Sequence, residues 1–247
     1  MDLALAPSEA VLVAGRQWLA PVQAFLGADL VTAGITGGAL QADFDPARSR
    51  INLLVVVREL PIARLDALAA VLPRPRKGAA VDPMVLTLEQ VQRSLDVFPI
   101  EWLDVRERHF TLAGEPLFAT LEVPQRKLRL QIEQELRGKH LRLMQAYLAG
   151  ADRPADLHAT LAASASGFHT IFRALIRLHG EPAPGTHDGI VSRLAQLHDL
   201  DATALGGARR MRALSRAPGA DETRATYRAF LAQIERLTRV VDGFAIP

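Results

Sequence analysis

The sequence predicts an α+β chain, a mixed sheet flanked by helices followed by an all-α helical bundle. Two observations carry this reading. Leu53–Val57 is apolar at every position, beyond the alternation of a half-exposed strand, so it predicts a strand buried on both faces. After Pro124 the pattern changes: Leu128, Ile132, Leu136, Leu143 and Tyr147 form one helical stripe, and no convincing strand follows. The boundary is expected near residues 120–125, giving domains 1–122 and 123–247.

Composition narrows the classes. A chain of 247 residues with 49% hydrophobic content is long enough for one large core or two ordinary ones. The net charge of +2 does not point to nucleic acid, and no apolar run reaches the ~20 residues needed to span a bilayer. No cysteine is present, which excludes disulfides, thiolate metal sites and a cysteine nucleophile. With no basic residue ahead of the first apolar run, the N-terminus makes a poor signal peptide, so a cytoplasmic protein is expected.

Taken in order, Ser8 is placed to cap a first helix, which Pro21 should kink or split. The strand LVTAGIT leads to Gly37-Gly38, a polar connection, and the central apolar strand. Pro61 opens a helix closed by Pro73 and Pro75. Residues 79–86 predict a third strand, confined to an edge or bulge by Pro83. Thr87 and Gln90 have capping-box spacing. Phe98–Val105 reads as a strand, followed by another at Phe110–Ala113.

In the second half, Gly138 interrupts the first long helix and suggests close helix packing there. A second helix runs over Pro154–Leu178, then a breaker-rich loop, then shorter helices at Ile190–His198 and Ala202–Leu214. The last helix carries Tyr227, Phe230, Ile234, Leu237, Val241 and Phe244 as a packing seam.

Polar residues crowd the start of the central strand. Arg50 and Asn52, two apart, share a face in extended backbone and follow a glycine turn suited to phosphate. Gly37-Gly38, the connection with Asp43-Phe44-Asp45-Pro46, and Ser49-Arg50-Ile51-Asn52 before an apolar strand are similar to the signature of polymerase-β-like nucleotidyltransferases. Leu95–Gly114 together with Leu128–Tyr147 resembles a bacterial branch of that superfamily with a helical C-terminal domain. The resemblance implies a nucleotidyltransferase-like domain of helix, strand, turn, strand, helix, strand and helix.

The side chains depart from the pattern where its chemistry lies. The resemblance implies two aspartates holding divalent metals, but here those positions are Arg50 and Asn52. A guanidinium has no acceptor and would repel a cation by about 4 kcal/mol per unit charge at 4 Å and an effective dielectric of 20. Asn52 offers one neutral oxygen, where Mg²⁺ prefers carboxylates. For a third carboxylate, Asp82 is the best match, with Glu101 and Asp104 behind it. One carboxylate does not build a two-metal clamp.

The expectation is therefore a pseudoenzyme, a nucleotide- or phosphate-binding or regulatory module using Gly37, Gly38, Ser49, Arg50 and Asn52. It would hold no metal and require no cofactor, and would take ATP or another nucleotide without Mg²⁺. Its partners would be that nucleotide and a protein or second copy docked through the helical domain, not a membrane or nucleic acid. Two alternatives stand beside it: an active adenylyltransferase with a displaced metal site, and a structural interaction module. Arg50 pairing with Asp43, Asp45 or Glu101 is the plainer account of that residue.

Elsewhere, the plainer account prevails. Arg173 and His179 have a spacing similar to a ribonuclease motif but lie on different helical faces. His140 falls on an apolar stripe, and the seven histidines show no i,i+4 metal spacing. Arg209, Arg210, Arg212 and Arg216 read as a solvated basic face.

Overall fold

A computed structural model of the chain describes residues 6–40, 44–45, 49–73 and 80–244. These gather into two units, Met1–Val123 and Pro124–Pro247. No helix among them is long and apolar enough to cross a membrane.

The first unit begins with α1 (Glu9–Leu26), whose cap Ser8 accepts a hydrogen bond from the Val11 N–H at 3.4 Å. Pro21 lies inside α1, which continues past it rather than splitting. Trp18, Leu19, Val22 and Leu26 on either side are buried, and that packing outweighs the roughly 3 kcal/mol penalty of an interior proline. β1 (Leu30–Thr36) ends in a 3₁₀ turn at Gly37–Leu40. β2 (Ile51–Val57) follows, then α2 (Leu65–Val71) and β3 (Val81–Thr87). α3 (Leu88–Ser94) carries the full capping box, with Thr87 N–H donating to Gln90 Oε1 at 2.8 Å and Gln90 N–H donating to Thr87 Oγ1 at 3.1 Å. The order up to α3 is the one the resemblance implies.

Phe98–Val105 is not a strand. Its residues belong to α4 (Pro99–Glu107), which precedes β4 (His109–Gly114). Pro99 occupies the first turn, where a missing N–H leaves no helical bond unmade. Ile100, Trp102 and Leu103 are buried together, a helical grouping that short alternation in the sequence disguises. Trp102 Nε1–H donates to Ser94 Oγ at 2.9 Å, tying α4 to α3.

The sheet order is β3-β2-β1-β4. β1 is antiparallel to β2 and β4, whereas β2 and β3 are parallel and joined by the crossover through α2. Alternate β2 residues enter different cores. Ile51, Leu53, Val55 and Val57 pack with α1 and Leu68 of α2; Leu54 and Val56 pack with Val91, Trp102, Phe118 and Leu121. β2 is thus the middle of three layers, and β3 lies on the edge that Pro83 requires.

The second unit consists of α5 (Gln125–Gly150), α6 (Pro154–Leu178), α7 (His187–His198), α8 (Ala202–Leu205), α9 (Gly207–Ala213) and α10 (Ala220–Asp242). The expected helix at Ala202–Leu214 is broken at Gly206, and α7 starts earlier than Ile190 because Thr186 caps it. Close packing falls at Gly167, where a Cβ would lie 2.9 Å from Lys139 Nζ, rather than at Gly138, where it would meet the Arg142 guanidinium at 3.7 Å. Glu133–Arg137 and Glu135–Lys139 are ion pairs at 2.9 and 3.4 Å. The seam of α10 is internal: Tyr227, Phe230, Ile234, Leu237 and Val241 are all fully buried, and Tyr227 O–H donates to the Leu143 carbonyl at 2.9 Å. Phe244, the last residue of the expected seam, is half-buried.

Gly114 closes β4 at φ +83°, where a Cβ would fall 2.2 Å from the Val31 carbonyl oxygen. Gly27 also has positive φ, at +54°, but open space around it. Gly114→Ala combines backbone strain with overpacking and should lose roughly 2–6 kcal/mol in urea unfolding. Gly27→Ala should lose only the conformational part, about 1–3 kcal/mol. Equal losses would show that the approach to Val31 is not what selects glycine.

Candidate ligand site at the Gly37 turn

The sheet register lines up two rows of three residues on the face covered by α3 and α4. Thr36, Asn52 and Asp82 stand side by side across β1, β2 and β3; Gly34, Leu54 and Met84 form the next row inward. The polar row lies at the end of the sheet where β1 enters the Gly37 turn. α4 covers this end with Glu101, Trp102 and Val105, enclosing a hollow of about 450 Å³. Its polar lining is Thr36, Asn52, Asp82 and Glu101, and its apolar lining is Leu53, Leu54, Pro83, Met84, Trp102 and Val105.

Gly37 has φ +68°, a conformation that favours glycine, and a Cβ there would lie 3.5 Å from Asn52 Nδ2. Its N–H donates to the carbonyl of Arg108, the cap between α4 and β4, at 3.3 Å, so that donor is already engaged. Beside Gly38 a Cβ would meet nothing within 4 Å, which leaves the turn approachable from that side.

The residues singled out from sequence separate into three groups. Asn52, Asp82 and Glu101 line the hollow. Gly37 and Gly38 form the turn at its edge, and Ser49 and Arg50 are exposed just ahead of β2, outside the lining. Asp43 falls outside the described residues. Asp104 faces elsewhere: both its oxygens engage Arg108, at 2.9 Å to Nε and 2.8 Å to Nη2. Glu101 and Asp104 are on α4 rather than on the strand expected over Phe98–Val105.

Thr36, Met84 and Trp102 were not singled out from the sequence. Thr36 could have been found as the last strand residue before the glycine turn. The other two required the β2–β3 register and the seating of α4. Chemically, the polar lining provides two carboxylates, an amide and a hydroxyl, while Arg50 lies outside it. Among the described residues no group of three or more His, Cys, Asp or Glu side chains is placed to hold a metal ion.

Other sequence candidates do not converge. His140 is half-buried, not core, and faces a separate hollow of about 800 Å³ between α5 and α10 with Met144, Tyr147 and Arg228. Arg173 is buried in α6 and donates to the Pro184 carbonyl at 3.5 Å, whereas His179 caps that helix and meets His198.

No family model matches the chain, and no curated protein matches it. Among solved structures it is similar to a spectinomycin adenyltransferase, AAD(9), from Enterococcus faecialis, crystallised with ATP and spectinomycin. That likeness has 11% identity, covers 91% of this chain and 98% of the other, and has a TM-score of 0.49. A nucleotidyltransferase-like protein from Exiguobacterium sibiricum is similar at 14% identity over 91% of this chain and 74% of its own, with a TM-score of 0.38.

The Asp104–Arg108 pair predicts a separation of stability from binding. Asp104→Asn should cost about 1–2 kcal/mol in thermal or urea unfolding, since the pair is two-pronged and largely shielded. It should leave occupancy of the hollow unchanged, whereas a loss of ligand affinity would move Asp104 back into the site.

Proposed function

We propose that the N-terminal unit binds a nucleotide at the Gly37 turn as a binding or regulatory module and does not carry out metal-dependent nucleotidyl transfer. The observation that carries this reading is the polar row Thr36–Asn52–Asp82, with an amide at its centre where the transferase pattern has a carboxylate. Asn52 brings no charge to a metal, and Arg50 ahead of it brings a permanent positive one. The nucleoside would lie in the hollow against Trp102, Met84 and Leu54, with its phosphates directed outward over Gly38 toward Arg50. A guanidinium can bind phosphate oxygens with two parallel hydrogen bonds and needs no bridging cation. This arrangement keeps the phosphates away from the Asp82 and Glu101 carboxylates.

One observation favours the enzyme alternative. Asp82 and Glu101 come from different elements yet line the same hollow, which gives a displaced Mg²⁺ site two carboxylates to draw on.

Calorimetric titration with ATP, with and without Mg²⁺, tests the two readings. The binding module should take ATP without metal and lose at least tenfold in affinity in Arg50→Ala. Binding that needs Mg²⁺ and disappears in Asp82→Asn, together with transfer of a nucleotide to an acceptor, would establish the enzyme instead. Absence of binding under either condition would leave the chain an interaction module.

A further inference from the structure

Four of the seven histidines meet in two pairs. His169 and His187 bring their Nδ1 atoms to 3.1 Å, with rings stacked at an interplanar angle of 23°. His179 and His198 bring their Nε2 atoms to 3.1 Å. In each pair the first member belongs to α6 or its cap and the second to α7. The pairs are separated by ten residues along α6 and eleven along α7, close to three helical turns on both. α7 therefore runs alongside the C-terminal part of α6 in the same direction, joined by two rungs about 15 Å apart.

The segment between the helices must return along α6 for this to happen. Arg173 and Arg177 of α6 donate to the carbonyls of Pro184 and Glu181, at 3.5 and 3.3 Å. From α7, Arg193 Nε donates to Glu181 Oε2 at 2.6 Å. Ile190, Val191 and Leu194 of α7 are buried.

Two imidazole nitrogens at hydrogen-bond distance must be one N–H and one lone pair. A first added proton can reside on the distal nitrogen of the donor ring without breaking that bond. A second must occupy the shared lone pair, which sets N–H against N–H and cation against cation. We propose that these pairs make the α6–α7 seam acid-sensitive, with proton uptake loosening α7 from α6 as the pH falls below about 6.5, the ordinary histidine value.

The surroundings reinforce the effect. Burial holds His179, His187 and His198 below the usual histidine range. Arg193 adds to this at His179, as does Arg209 of α9 at His187 and His179 itself at His198. Glu181 and Asp188 act in the opposite direction but do not prevail, Glu181 being engaged by Arg193. His187 Nε2 is buried without a hydrogen-bond partner, so a proton added there finds no acceptor. Phe244 lies edge-on to His179 at 4.8 Å; Lys139 of α5 approaches Gly167, two residues before His169, and Arg236 of α10 pairs at 3.9 Å with Asp199, the residue after His198.

The sign follows from linkage. A histidine whose folded pKa lies below its unfolded value leaves stability intact above about pH 6.5. Stability is lost as pH falls from there to the folded value, because over that interval the unfolded chain binds more protons. Each unit of difference amounts to a tenfold change in the opening equilibrium per ring.

Amide hydrogen exchange on the full chain at pH 7.5 and 5.5, corrected for intrinsic rates, tests the proposal. Protection of α7 should fall at least tenfold further than that of α5 and α10. In the His179→Gln/His198→Gln double variant, whose side chains stay neutral, the excess loss should shrink by about the share of one rung. Parallel loss across the helices in the wild-type chain would overturn the proposal. Proton NMR of the unsubstituted protein gives a reading independent of whether the variant folds. Ring resonances of His179 and His198 titrating at the ordinary value near 6.5 would equally overturn it.

Discussion

The first unit depends on the burial of β2 from both sides. Ile51, Leu53, Val55 and Val57 serve the α1 side and Leu54 and Val56 the α3–α4 side, with each Val, Leu or Ile worth about 1.5–3 kcal/mol when removed from water. Because strand side chains alternate, a slip of one residue would exchange the two sets and bring Asn52 into the α1 core. Both cores therefore enforce the same register, and that register sets Asn52 between Thr36 and Asp82. The candidate site is the polar end of that register, where Asn52 and Asp82 are exposed beside a buried Thr36.

The parts of this arrangement set by local chemistry were legible in the sequence. LVTAGIT and the central strand, the Thr87–Gln90 box, and the α6 span all follow from residues within a turn or two of one another. Residues 98–105 resemble a strand because Phe98, Ile100 and Trp102 alternate as its apolar face would; the helix is decided by Pro99 and by burial of Leu103 beside Trp102. Asp82 was found by pattern, but its neighbour Asn52 is set by a parallel pairing across 30 residues, which no local period encodes. The seam on α10 was visible, yet its partners inside the bundle were not, since a stripe of apolar residues does not state what covers it.

The histidines illustrate the same limit. Within one helix they share no spacing that marks a pair, because each partner lies on the neighbouring helix. Only when α7 is laid along α6 does the near-equality of ten and eleven residues become two rungs. Groups ordinary one at a time acquire coupled chemistry once a return segment, held by Arg173, Arg177 and Arg193, fixes the direction of α7.

β3 carries one more consequence. It forms an outer border of the sheet, and opposite Leu53 its residue is Pro83, which has no N–H to offer. A foreign strand approaching that border meets a gap in the donor ladder together with the ring itself. Asp82, next in line, adds charge that would have to be stripped of water. The same short stretch that frames one side of the hollow also discourages edge-to-edge association, so residues 82 and 83 protect the sheet from aggregation while shaping its opening.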